Sequence, residues 1–271
     1  THQDLEKILK PFSPERFIVF NWCEELPGVP HSDAIVAEVL ESMNFAYTGS
    51  ASRFLSLSWD KAAVKRLLSE SDIPVPRWQL FSTPETQGWD CFPAIVKPAS
   101  EHCSFGISAD AVVMNMDELK RRISFVKDTF HQPAIVEDFI DGREFHVAVW
   151  GNENISVLPA AEMDFSGFGN LKDRLCTYDA KFIPGSLHYE EIKTLLPAPL
   201  TANEKKSLDK VCRDAYRATG CRDYARMDIR LRDNVFFVLD VNPNADISSD
   251  ASMACAAEVD GITYAQMGSR I

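Results

Sequence analysis

Tyr224-Ala-Arg-Met-Asp-Ile-Arg-Leu231, followed three residues later by Val235-Phe-Phe-Val-Leu-Asp-Val-Asn242, decides how this chain is read. In the first run Arg226, Asp228 and Arg230 fall on one face, and Ala225, Met227, Ile229 and Leu231 on the other. That is the two-residue period of a strand with one buried side. In the second run Asp240 and Asn242 share a face. Side by side, the two strands offer two carboxylates, an amide oxygen and a guanidinium on one surface. Hard oxygen donors of this kind suit Mg2+, which takes one or two carboxylates and leaves its other positions to water and phosphates. A hairpin with one solvated polar face is the plainer alternative.

The connection between the runs separates the two readings. Asp233-Asn234 has turn chemistry. A two-residue turn, however, pairs Arg232 with Val235 and so Asp228 with Leu239, which sends Asp240 to the opposite face. A shared metal site therefore calls for an odd-length connection. Three residues are expected, Asp233–Val235 or Arg232–Asn234, with Asn234 left-handed.

Composition sets the outer bounds. The chain has 271 residues, 45% hydrophobic and 25% charged, enough to bury a sizeable core and to form two or three domains. No uninterrupted apolar run approaches the roughly 18 residues that span a membrane. A formal net charge of −12 argues against nucleic acid, which asks for a basic face, but not against a nucleotide held by local lysines and metal ions. The seven cysteines are odd in number and lack a C-x-x-C pair, which fits reduced thiols in a cytoplasm. The opening Thr-His-Gln-Asp-Leu-Glu-Lys is neither a signal peptide nor a native start, as in a truncated or processed chain.

Upstream of the hairpin the elements alternate. Arg16–Asn21 reads as a buried strand, and Ser32 can cap a helix with Ile35, Val36, Val39, Leu40 and Met43 on its apolar stripe. A second helix runs from about Trp59 to Glu70. Ile73-Pro-Val-Pro76 must be extended, because each proline forbids helix and constrains its predecessor. Strands are expected at Pro93–Lys97, Ala134–Ile140, Glu144–Trp150 and Ile155–Ala161, with a helix over Asp117–Asp128. The polar stretch from Asp164 to Leu200 carries three glycines and little periodicity, as a lid or binding loop does. Thr201-x-x-Glu204 is a capping box opening a helix closed by Gly220. A mixed tail follows from Ser248.

Two further clusters carry chemistry. Lys97 ends a short apolar strand, and the Ser100–Gly106 loop after it offers backbone N–H groups to phosphate; a lysine that merely ends a strand is the alternative. Val136-Glu-Asp-Phe-Ile140, then Asp141-Gly-Arg-Glu144, reads as strand, tight turn, strand. Its free backbone groups could read an adenine edge, with Glu144 accepting from ribose hydroxyls, unless it is simply a charge-protected edge. The six histidines show no metal spacing, and no G-x-S-x-G elbow is present.

Taken in order, Tyr47-Thr-Gly-Ser50, Asp60-Lys61, Ile73-Pro-Val-Pro76, Val96-Lys97-Pro98, Glu137 with Gly142-Arg-Glu144, Tyr178-Asp-Ala-Lys181, Arg226-Met-Asp228 and Asp240-Val-Asn242-Pro243 resemble the ATP-grasp ligases. Among them the D-alanine–D-alanine ligases are the nearest likeness. The resemblance implies an α+β, or α/β, ATP-grasp fold. It divides the chain into a short N-terminal α/β domain (1–58), a central subdomain (59–136) and a C-terminal subdomain (137–271) with a lid over 164–200. It implies ATP with Mg2+ or Mn2+, small amino-acid or carboxylate substrates, an ADP-forming reaction through an acylphosphate, and it allows a homodimer.

By the same resemblance Lys97 and Lys181 hold phosphates, and Lys61 sits near the nucleotide at the mouth of the cleft. Glu137, with the backbone of Asp138 and Ile140, meets adenine, and Glu144 the ribose. Asp228, Asp240 and Asn242 bind metal, and Arg226 steadies the oxyanion of the tetrahedral intermediate. The chain departs from the family at several points. Asp240 stands for glutamate, His102-Cys103 for small residues, and Phe182 for tyrosine. Asp246 replaces a neutral residue, and Ala251 falls where a serine is expected, beside Ser252. The N-terminal part lacks a recognisable substrate-binding strand. A ligase for other amino acids or a natural-product dipeptide, and an inactive ATP-binding module, are the competing readings.

Overall fold

The computed structural model describes residues 2–102 and 104–271. Its N-terminal part contains α1 (His2–Leu9), β1 (Ile18–Val19), α2 (Asp33–Ser42), β2 (Ala46–Tyr47), α3 (Ser52–Ser58) and α4 (Lys61–Glu70). Among the described residues β1 and β2 pair here in parallel, and Leu26 and Val29 form an isolated antiparallel bridge. Arg16–Asn21 was expected to be a buried strand, but it reduces to the two residues of β1, and Ile18 is 68% exposed. Its alternation is apolar on both faces, yet nothing among the described residues covers the outer one. In α4, Asp60 caps the first turn by accepting from the Ala63 N–H, and the helix points Lys61 and Lys65 inward one turn apart.

The second sheet is four-stranded and antiparallel, in the order β3 (Trp78–Phe81), β6 (Ala134–Asp138), β4 (Ala94–Pro98), β5 (Val112–Val113). Helix α5 (Met116–Phe130), capped by Asn115, covers one face through Leu119, Ile123 and Val126.

The third sheet has six strands: β7 (Arg143–Trp150), β8 (Ser156–Val157), β9 (Ala161–Asp164), β10 (Lys193–Leu195), β11 (Tyr224–Arg232) and β12 (Val235–Pro243). Its core face carries Phe145, Val147 and Val149 from β7, Ala225, Met227 and Ile229 from β11, and Phe236, Val238 and Val241 from β12. Helix α8 (Ala202–Thr219), which starts at the expected capping box, packs there with Leu208, Cys212, Ala215 and Tyr216. Val64 and Leu68 of α4 join the same core, so α4 rests on the large sheet. The tail folds as α9 (Ser252–Val259) and α10 (Tyr264–Arg270), which cover Ala148, Trp150 and Tyr224 at one end of the other face. The rest of that face is the polar one.

Two expectations need correction. The β11–β12 connection is not three residues. Arg232 pairs with Val235 around a two-residue turn in which Asp233 and Asn234 are both left-handed (φ 52° and 61°). Such a primed turn matches the twist of antiparallel strands. The register then shifts between Ile229 and Asp228: Ile229 faces Val238, but Asp228 faces Asp240. One extra residue, Leu239, makes a β-bulge that returns Asp240 to the face of Asp228. The spacing of buried residues records the slip, for Val238 and Val241 are three apart yet both in the core.

The second correction concerns 164–200, which is not a plain loop. It contains a 3-10 turn at Leu171–Asp173, helices α6 (Tyr178–Phe182) and α7 (Leu187–Glu191), and β10 paired to β9. Helices this short leave no 3.6-residue pattern long enough to read. Among the described residues no helix is long and apolar enough to cross a membrane.

Candidate active site

Three neighbouring strands supply the polar face. Register places Arg226 opposite Asn242 and Asp228 opposite Asp240 on one side, and Asp228 opposite His146 and Arg230 opposite Glu144 on the other. Arg226 grips Asp228 with two bonds, Nε to Oδ1 at 2.7 Å and Nη2 to Oδ2 at 3.0 Å. Asn242 Nδ2 donates to Asp228 Oδ2 at 3.1 Å. Burial works against the Asp228 charge, but Arg226 and then His146 outweigh it and hold the carboxyl well below the usual range. The four groups expected to converge do so, by way of the bulge.

Helix α4 closes the face from above. Lys61 Nζ lies 2.6 Å from Asp240 Oδ2, and Asp240 keeps the ammonium charged in spite of burial. One turn on, Lys65 is 2% exposed. Its Nζ lies 3.2 Å from Glu137 Oε2 and donates to the Leu239 carbonyl at 3.2 Å, so it touches the bulge itself. Lys97, from β4, reaches the same Glu137 oxygen at 3.1 Å. Three lysines thus face two carboxylates among largely buried side chains, an excess of basic groups that favours an anionic ligand, while burial pushes the Lys65 pKa down. Glu137 is 1% exposed, and its second oxygen, Oε1, has no hydrogen-bond partner.

Several groups of the residues expected around adenine have partners within the chain. The Glu137 carboxylate is turned among the lysines. The Asp138 N–H donates to the Arg77 carbonyl at 2.8 Å, and its carboxylate pairs with Arg232. The Ile140 carbonyl accepts from Arg230 Nη1 at 2.9 Å. Glu144 is 5% exposed and bound by Arg230 Nε at 2.7 Å. Burial opposes its charge, but Arg230 holds its pKa well below the ordinary carboxylate value. The connection between β6 and β7 needs Gly142, because a Cβ there would lie 1.9 Å from the Leu231 carbonyl.

Lys181, carried by α6, lines a cavity of about 210 Å3 with His146, Cys176 and His188. Its charge contributes to holding Asp228 ionised. His102 packs edge-on against Trp59, which stacks on His31 at 3.8 Å. Burial, then Lys61, pushes the His102 pKa down to about 4, so the ring is neutral at ordinary pH. Cys103 and the side chain of Phe182 lie outside the described residues. Asp246 is exposed and accepts from the Ser248 N–H at 2.8 Å. Ala251 is the residue before α9, and Ser252 begins that helix.

The donor set fits a divalent cation carrying a polyphosphate. Asp228 and Asp240 face each other with only oxygen donors to offer, and Asn242 adds an amide oxygen. Each carboxylate now has a cationic partner, Arg226 or Lys61. A metal ion could take over the carboxylates while phosphate oxygens take the guanidinium and ammonium, an exchange that conserves charge pairing. Sequence reading missed Lys65, His146 and Cys176. The first two had a local signal, since Lys65 follows Lys61 by four residues on a helix and His146 follows Glu144 by two on a strand. Cys176 had none.

Comparison with known proteins gives a consistent outcome. A family model described as the D-ala D-ala ligase C-terminus matches residues 67–271. An uncharacterised protein of Sinorhizobium fredii is 32% identical over 97% of this chain and 76% of its own length. The D-alanine–D-alanine ligase of Carboxydothermus hydrogenoformans is 30% identical over 91% of this chain and 78% of its own. Among solved structures, the D-alanine–D-alanine ligase of Bacillus anthracis complexed with ATP superposes with a TM-score of 0.68 at 23% identity, covering 87% of this chain and 72% of that one. The VanG D-Ala:D-Ser ligase of Enterococcus faecalis gives 0.72 at 22% identity, covering 88% and 68%. These last two show a shared ATP-grasp fold.

Proposed function

The chain belongs to the D-alanine–D-alanine ligase family of ATP-grasp proteins, and from that premise we propose that it joins a carboxylate to an amine with conversion of ATP to ADP. The observation that carries this reading is the bulged register, which sets Asp228 opposite Asp240 and Arg226 opposite Asn242 on one polar face. ATP lies between the four-stranded and six-stranded sheets. Lys97, Lys61 and Lys181 hold its phosphates, and Glu144 meets the ribose. Asp228, Asp240 and Asn242 hold Mg2+, which when bound neutralises phosphate charge.

The substrate carboxylate attacks the γ-phosphate, giving an acylphosphate and ADP. The amine then displaces phosphate to form the amide. Phosphoryl transfer needs positioning and neutralised charge more than covalent help, and buried lysines supply both. Arg226 steadies the oxyanion of the tetrahedral intermediate, a role worth a few kcal/mol for one well-placed donor. Relatives that carry the names D-alanine–D-alanine ligase and D-Ala:D-Ser ligase point to small amino acids as substrates.

The test is ADP release with Mg2+ across pairs of amino acids, D-alanine and D-serine included. Release that requires both a carboxylate donor and an amine acceptor supports the reading. Tight ATP binding with no turnover for any pair would establish the inactive module instead.

A further inference from the structure

Glu144 and His146 stand two residues apart on β7 and so share the polar face. Cys176 approaches them from the segment before α6, and the ligating atoms of the three all lie within 4.8 Å of one another. Glu144 Oε1 and His146 Nε2 are 3.5 Å apart. Two ligands on a tetrahedral ion with bonds of about 2 Å stand roughly that far from each other. The other Glu144 oxygen is fixed by Arg230 at 2.7 Å, the kind of outer partner that orients a ligating carboxylate. The Cys176 backbone is anchored as well, its carbonyl accepting from Ser104 Oγ at 3.0 Å. His146 and Cys176 both open onto the cavity that Lys181 lines, which leaves room for a fourth ligand from solvent.

We propose that Glu144, His146 and Cys176 form a binding site for a thiophilic divalent cation of the zinc class, and that an ion bound there excludes the nucleotide. The sulfur is a soft donor and the imidazole nitrogen a borderline one, and together with a single carboxylate oxygen they favour zinc over the magnesium that suits the all-oxygen pair Asp228 and Asp240. On binding, the Cys176 thiol releases its proton to solvent and the thiolate becomes the ligand. Lys181 and Arg230 are nearby cations. Two anionic ligands, with Asp228 3.9 Å from His146 Nε2, offset them. The site itself depends only on these three side chains. The exclusion of nucleotide rests on the proposed role of Glu144 at the ribose, since one carboxylate cannot serve both.

Titration of the metal-free protein with Co2+ tests the site without any turnover. One equivalent should produce a thiolate-to-cobalt band and intense tetrahedral absorption, both removed by Zn2+. Cys176→Ser and His146→Gln should each abolish the band and weaken Zn2+ binding at least tenfold, with circular dichroism unchanged. Absence of a thiolate band, or equal Zn2+ affinity in both variants, would overturn the site. For the second half, Zn2+ should raise the apparent Kd of ATP in proportion to its concentration, and Cys176→Ser should lose that effect while still binding ATP. Zn2+ and ATP binding together without mutual effect would overturn the exclusion. A protein that gives the cobalt spectrum but binds no ATP would sink the ligase reading and leave the metal site standing.

Discussion

Asp228 makes contacts in three directions: Arg226 along its own strand, Asn242 across one ladder and His146 across the other. Asp228→Asn should therefore lower turnover about a hundredfold or more, roughly 3 kcal/mol of transition-state stabilisation, the scale of losing one preorganised electrostatic partner. ADP release at saturating Mg2+ measures it, and near-normal turnover would refute the metal assignment. The change also leaves Arg226 without its counter-charge, so thermal denaturation should show the variant less stable than the parent. Residue types at this site were legible from alternation alone, because a strand's side-chain period is local. Glu137 was not. Its neighbours Lys65 and Lys97 lie 72 and 40 residues earlier in the chain, too far for local periodicity to place them beside its carboxylate.

At the level of elements, the β11–β12 hairpin holds the site through two opposed irregularities. The two-residue turn shifts the register one way and the bulge at Leu239 shifts it back. Asn234 is exposed and left-handed, a conformation asparagine and glycine tolerate but β-branched residues resist. Asn234→Val should cost about 1–2 kcal/mol of stability. Asn234→Gly should stay within about 0.5 kcal/mol of the parent. Urea denaturation of the two variants checks both, and equal stability would contradict the primed turn. The segment 164–200 is built from short helices and a three-residue edge strand, with Phe165, Phe168 and Leu175 as buried anchors, elements small enough to open as a unit. Limited proteolysis should cut it more slowly once ATP and Mg2+ are bound, if it carries Lys181 onto the phosphates. Equal cutting in both conditions would count against a lid.

Across the whole molecule, α4 joins the parts. It packs Val64 and Leu68 into the core of the large sheet while Lys65 reaches Glu137 of the smaller one. A ligand bridging the two sheets should stabilise the entire chain. ATP with Mg2+ at a hundred times its Kd should add about 2.7 kcal/mol, a rise in Tm of roughly 5 °C for a chain of this size. Chelation with EDTA should remove that rise, and a shift that survives chelation would separate nucleotide binding from the carboxylate face. The sequence by itself determined the strand faces, the capping box at Thr201 and the ordered motifs that mark the family, because each depends on residues within one or two turns of chain. Only the tertiary structure decided how those faces meet. The bulge that brings Asp240 opposite Asp228 is held by a lysine about 170 residues away, and Cys176 reaches Glu144 and His146 only when the chain folds back on itself. Local periodicity reports which side of a strand a residue occupies. It carries no information about a one-residue slip against a partner strand, and that slip is what makes the site.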